Sequence, residues 1–144
     1  MRLPHYGYLL LTVMLSACGT PEPTHNVFEV TAVYTNPDEV SAINPSVAGA
    51  VSMSFGNNTV AGFTGCAPFQ GFASLDQQHA RFSQMQFDPI SDECSGQNLS
   101  IHNALVSLLV DGEFEVDSRE NGILILRSHS EGLEPSSIHL ISKG

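Results

Sequence analysis

Apolar side chains recur at every second residue in a series of short runs, and this period of two commits most of the chain to half-buried β-strands. Phe28, Val30, Ala32 and Tyr34 alternate with mostly polar positions between Val27 and Thr35. Asn36-Pro37-Asp38 stops that run, and a loop follows to about Pro45. Val51, Met53 and Phe55 then alternate with Ser52 and Ser54 in a second strand. Gly56-Asn57-Asn58 is hairpin chemistry, because Gly and Asn tolerate the positive φ of tight turns, and it leads into a third strand from Val60 to Phe63. Strands from Phe69 to Leu75 and from Arg81 to Phe87 flank the polar turn Asp76-Gln77-Gln78-His79. Within the second of these, Phe82 falls on one face while Met85 and Phe87 fall on the other, which predicts a bulge near Ser83 or Gln84. Phe114 to Ser118, Gly122 to Ser128 and Ile138 to Ser142 complete the set. The unbroken run Ile123-Leu124-Ile125-Leu126 predicts a strand covered on both faces.

One segment departs from this period. From Gln97 to Val110, Ile101, Ala104, Leu105, Leu108 and Leu109 recur at helical spacing, with His102 on the polar side. Ser95 or Asn98 is placed to cap its start, and Gly112 stands where a helix C-terminal glycine belongs. About eight short strands and one helix predict an α+β domain: a small, mostly antiparallel, curled or barrel-like β-sheet with one packed α-helix. Gly62, Gly65 and Gly71 lie where such a sheet needs bends or close backbone approach, so their expected role is shape.

Ahead of this domain, Leu15-Ser16-Ala17-Cys18 closes an apolar stretch that begins near Tyr8 and follows a short segment carrying Arg2. The run is similar to the lipobox of bacterial lipoproteins, and the apolar stretch is shorter than the roughly 20 residues that span a bilayer. The resemblance implies a signal peptide over 1–17, cleavage before Cys18, and acylation of Cys18, with more than one acyl chain giving stable attachment. Residues 18–26, with two prolines and nothing apolar to bury, are expected to be the lipidated cysteine and a tether, and 27–144 the folded domain. The expected location is the cell envelope, on the extracytoplasmic side of a bacterial membrane.

With Cys18 assigned to lipid, Cys66 and Cys94 remain as an even pair in a compartment that permits disulfides. A structural bridge is the simplest outcome. Two separate buried thiols and a redox-sensing disulfide are the alternatives, although redox catalysis usually uses the close Cys-x-x-Cys spacing that is absent here.

Charge and composition narrow the function further. The formal charge of −10 becomes more negative by one when Arg2 leaves with the signal. Such a charge repels phosphate backbones and anionic headgroups, which argues against nucleic acid as a partner and assigns membrane attachment to acyl chains. The acidity reads as spread along the chain, with solubility as its plain meaning.

Catalytic constellations are not evident. The only lysine is Lys143, no Gly-x-Ser-x-Gly elbow occurs, and the glycine-rich segment leads into a strand and not into a phosphate-binding helix. His25, His79, His102, His129 and His139 lack metal-ligand spacing. Asp88, Asp92 and Glu93 crowd the approach to Cys94 without the order of a calcium loop. Glu113, Glu115 and Asp117 share one strand face and read as a solvated face opposite Phe114 and Val116. No catalytic residue, metal or cofactor is expected.

The segment Gly62-Phe63-Thr64-Gly65-Cys66-Ala67-Pro68-Phe69-Gln70-Gly71, followed by Cys94, an amphipathic helix and a C-terminal group of strands, resembles the META domain of heat-shock HslJ-like envelope proteins over about 27–142. Gly62, Gly65, Cys66, Phe69 and Gly71 match the family's core motif. Ala67 stands where the family usually has Asn, a side chain able to cap a turn, and Phe28 stands near the place of its usual Trp. The resemblance implies a small β-rich domain linked to envelope stress tolerance, with no established catalytic residues. The expected function is that of a non-enzymatic envelope lipoprotein acting through contacts with an envelope protein partner. A binding module for a small apolar or envelope-derived ligand is the alternative.

Overall fold

The computed structural model describes residues 26–35, 50–129 and 135–143. The expected signal segment, Cys18 and the expected tether through His25 lie outside the described residues, whereas Asn26, expected to end the tether, opens the first strand. Eight strands form a closed antiparallel barrel in which every strand pairs with its neighbours in sequence and the last returns to the first. They are β1 Asn26–Tyr34, β2 Val51–Phe55, β3 Thr59–Thr64, β4 Pro68–Leu75 and β5 His79–Phe87, then β6 Glu113–Arg119, β7 Ile123–Ser128 and β8 Ser137–Ser142. The helix α1, Gly96–Leu109, is inserted between β5 and β6. Closure comes from β1 and β8, which pair from Phe28↔Ser142 to Tyr34↔Ser137 with a bulge between Val30 and Ala32. The α+β barrel-like sheet with one helix is therefore the observed fold.

Period-two alternation sends one set of side chains inward along each strand. Val51, Met53 and Phe55 of β2 are buried, as are Phe69 and Ala73 of β4, Phe82 of β5 and Phe114 of β6. Phe82 meets Phe114 edge to face, with centroids 5.6 Å apart, and packs on Phe55. Each fully buried Phe or Leu contributes about 1.5–3 kcal/mol through removal of apolar surface from water. An eight-stranded barrel is just wide enough for its own side chains to fill, and these do. The exterior carries polar side chains such as Ser54, Gln70 and Glu115, which is the inverse of a lipid-facing barrel. Among the described residues, no helix is long and apolar enough to cross a membrane.

The helix packs against β1, β3 and β5 and buries Ile101, His102, Leu105 and Leu109 toward the core. Ser95 occupies its N-cap position without a side-chain capping bond. The helix C-terminus differs from expectation, because Asp111 and not Gly112 adopts the positive φ, at 51°. Gly112 is required for another reason: a Cβ there would collide with the carbonyl of Leu108 and press within 2.7 Å of the Phe114 ring.

Three local expectations hold. Asn58 takes a φ of 58° in the β2–β3 turn. The β5 bulge falls at Gln84, whose φ is 50°, and the β4–β5 register shifts there between Gln70↔Gln86 and Phe72↔Ser83. In β7, Leu124 and Leu126 join the core while Ile125, on the opposite face, is only 5% exposed.

Candidate functional site

Around the turn that joins β3 to β4, the motif residues converge. Gly65 has a φ of 94°, a conformation that favours glycine, and lets the chain reverse within Thr64 to Ala67. Cys66 then faces Cys94, in the segment before α1; their Cα atoms are 5.6 Å apart and the two sulfurs are bonded. The bridge ties the β3–β4 turn to the start of the helix.

Beneath it, Thr64 is fully buried and caps the turn. Its Oγ1 accepts the N–H groups of Cys66 at 3.2 Å and Ala67 at 3.1 Å. Those two donors use both lone pairs of a hydroxyl, leaving one proton to donate. The Ala67 carbonyl accepts the Thr64 N–H at 2.9 Å and lies 3.2 Å from Oγ1, and His102 Nδ1 lies 2.7 Å from Oγ1. Oγ1 and Nδ1 therefore share one short hydrogen bond in the interior, and the hydroxyl that caps the turn also links it to the helix. A turn that lacks an Asn at position 67 is capped by the threonine three residues before it.

His102 is thus not on a polar helix face. It is 7% exposed, and its ring lies edge-on to Phe87 with centroids 6.3 Å apart. Helical periodicity counted it as polar because imidazole is a polar side chain. Thr64 three strands earlier in the chain's course, its partner, carried no sequence signal of its own.

The carboxylates of β6 form a ladder of ion pairs on the barrel's exterior. Glu113 holds Arg81 at 3.0 Å, Glu115 lies 3.9 Å from His129, and Asp117 is approached by Arg127 at 3.0 Å and Arg119 at 3.1 Å. Hydrogen bonds from Arg127 and then Arg119 hold the Asp117 carboxyl below the usual carboxylate range. Lys143 pairs with Glu29 at 3.7 Å, so Arg81, Arg119, Arg127 and Lys143, the Lys and Arg residues described, are all engaged. The N–H groups of Gln78 and His79 likewise lower the pKa of Asp76 by donating to its carboxylate across the β4–β5 turn. Among the described residues, no group of three or more His, Cys, Asp or Glu is arranged to hold a metal ion.

On the exterior of β3, β4 and β5 a depression of about 410 Å³ is bordered by Thr59, Ala61, Gln70, Phe72, Gln84 and Gln86. Phe72 is 51% exposed there. Sequence reading missed this feature; the signal for it is the unbalanced charge distribution. No Asp, Glu, Lys, Arg or His occurs between Glu39 and Asp76, so the acidity is not spread along the whole chain as expected.

No protein-family model matches this chain, and no curated protein sequence matches it. The architecture is similar to that of a protein from Burkholderia xenovorans whose structure was determined by NMR, with a TM-score of 0.63, 15% identity, and coverage of 82% of this chain and 81% of that one. At that identity the likeness is one of fold.

Proposed function

We propose that this protein is a lipid-anchored, non-enzymatic component of the bacterial cell envelope that works by binding. The observation that carries the reading is the lipobox-like Leu15-Ser16-Ala17-Cys18 ahead of a proline-containing tether and a disulfide-bridged domain. A bridge of this kind belongs to an oxidising compartment. Binding is favoured over catalysis because the described Arg and Lys side chains are each paired with a carboxylate and the buried polar pair Thr64–His102 serves a turn. The META-like motif residues support a role in envelope stress tolerance through contacts with a protein partner.

Cross-linking in intact cells, comparing the native chain with Cys18→Ala, tests this reading. A discrete captured protein that disappears with the anchor is the expected result. Equal capture by both forms would remove the anchor from the account.

A second reading, a binding module for an envelope-derived ligand, is favoured by one observation. The barrel interior is filled by Met53, Phe82, Phe114, Leu126 and Leu140, whereas the exterior of β3–β5 carries an open depression beside an exposed Phe72.

A further inference from the structure

The exterior of β2 to β5 differs in kind from the rest of the barrel. β2, β3 and β4 lie wholly within the stretch that has no ionisable side chain, in a chain with fifteen Asp and Glu. Their outward residues are Ser, Thr, Gln, Ala, Pro and Phe, and Ser83, Gln84 and Gln86 continue this neutral face onto β5. The ion-pair ladder begins only at Arg81 and Glu113.

Two features of this face work against stability. The Phe72 ring at mid-strand, 51% exposed, forgoes the burial that Phe55, Phe69, Phe82 and Phe114 obtain in the core. Gln84 holds a left-handed backbone that disfavours a side-chain-bearing residue by roughly 1–2 kcal/mol. Regular alternation from the buried Phe82 would direct Gln84 and Gln86 inward. The extra residue of the bulge reverses that phase, so both glutamines border the depression while Met85 turns toward the core. Strain that aims side chains at one place is a mark of function.

We infer that this depression binds a neutral N-acetylated oligosaccharide. With no charged side chain in its lining, it offers no ionic partner to a phosphate, a carboxylate or an ammonium group. It does offer an exposed aromatic face, which matches the C–H face of a pyranose ring, and an apolar contact at Ala61 for an acetyl methyl. Each glutamine presents a carbonyl acceptor and an amide donor side by side, the complement of an acetamido group's N–H and C=O. Thr59 adds a hydroxyl for ring substituents. Small-molecule sites combine an apolar wall with a few placed polar groups in this way. The inference rests on the ligand-binding reading above and is independent of the anchor at Cys18.

The test is an NMR titration of the full chain, held in a sugar-free zwitterionic detergent, with tetra-N-acetylchitotetraose and, separately, maltotetraose. The expected result is a saturable change at the amides of Ala61, Gln70, Phe72, Gln84 and Gln86 with the acetylated sugar, and a response to maltotetraose weaker by about tenfold or more. Phe72→Ala should weaken binding by about tenfold. Gln84→Gly keeps the bulge, since glycine favours its φ, and should weaken binding while the barrel's spectrum is retained. Shifts that are absent or lie outside the depression would overturn the assignment. So would equal response to the two sugars, unchanged affinity in Phe72→Ala, or shifts at these residues driven by protein concentration alone, which would make the face a contact between copies. A failed titration alongside partner capture that depends on Cys18 would overturn this inference and leave the protein-contact reading standing.

Discussion

Thr64 of β3 and His102 of α1 meet through a 2.7 Å hydrogen bond in the interior, directly beneath the disulfide that joins Cys66 to Cys94. The same hydroxyl caps the β3–β4 turn, so one atom couples the turn, the helix and the end of the barrel.

Thr64→Val keeps the shape of the side chain and removes the hydroxyl, leaving two backbone N–H groups and His102 Nδ1 without their partner. The expected loss is about 2–3 kcal/mol, set by buried groups left unpaired. Urea unfolding checks it, as a lower midpoint at unchanged slope. His102→Phe, which removes only one of the partners and conserves bulk, should lose less.

Reduction should destabilise the domain. Cys66 and Cys94 are separated by 28 positions, and opening a loop of that size removes about 3–4 kcal/mol in the chain-entropy account. The double substitution Cys66→Ala/Cys94→Ala should therefore melt well below the oxidised native chain, and adding reductant to the native chain should lower its melting temperature toward that of the variant.

Gly62 is held by space. A Cβ there would collide with the Ser52 carbonyl on β2 and come within 2.7 Å of the Phe69 ring. Gly62→Ala is expected to be destabilising by about 1–3 kcal/mol through overpacking, although alanine is otherwise the smallest possible change. Calorimetry on the pair of proteins measures this directly.

Stability should rise with pH across the histidine range. Burial, with the charges of Arg127 and Arg119, lowers the pKa of His139 below its ordinary value of 6.5. The unfolded chain then binds a proton that the folded chain resists, so this contribution is present above pH 6.5 and lost as pH falls through the lowered folded value. His139→Gln should flatten the dependence of the unfolding midpoint on pH in that window. Asp76 and Asp117, both lowered, act in the same direction at more acid pH: their contribution is present above the ordinary carboxylate value and lost as pH falls through the folded one.

Much of the barrel was legible because strand periodicity and turn chemistry are local. Alternation in Val51–Phe55, the Gly56-Asn57-Asn58 turn and the change of phase between Phe82 and Met85 each identify an element from its own residues. Cys66 and Cys94 were legible as a pair for a different reason, since the lipobox-like run sets Cys18 apart and leaves two cysteines without the close spacing of a redox motif. What was hidden depends on partners distant in sequence. His102 reads as polar until Thr64, 38 positions away, supplies its hydrogen bond. Gly112 reads as a helix terminator until Phe114 and Leu108 are seen to crowd it. The neutral face became visible only when β2 to β5 stood side by side, because an absence of charge along a line of sequence does not reveal which surface it forms.

The most direct test of the account is the intact mass of the protein extracted from the membrane fraction of its own cells. The account predicts a chain that begins at Cys18 and carries the added mass of a diacylglyceryl group, with or without a further acyl chain, and that leaves the membrane fraction when Cys18 is replaced by alanine. A chain that retains residues 1–17, or one that begins elsewhere without acyl mass, would contradict it.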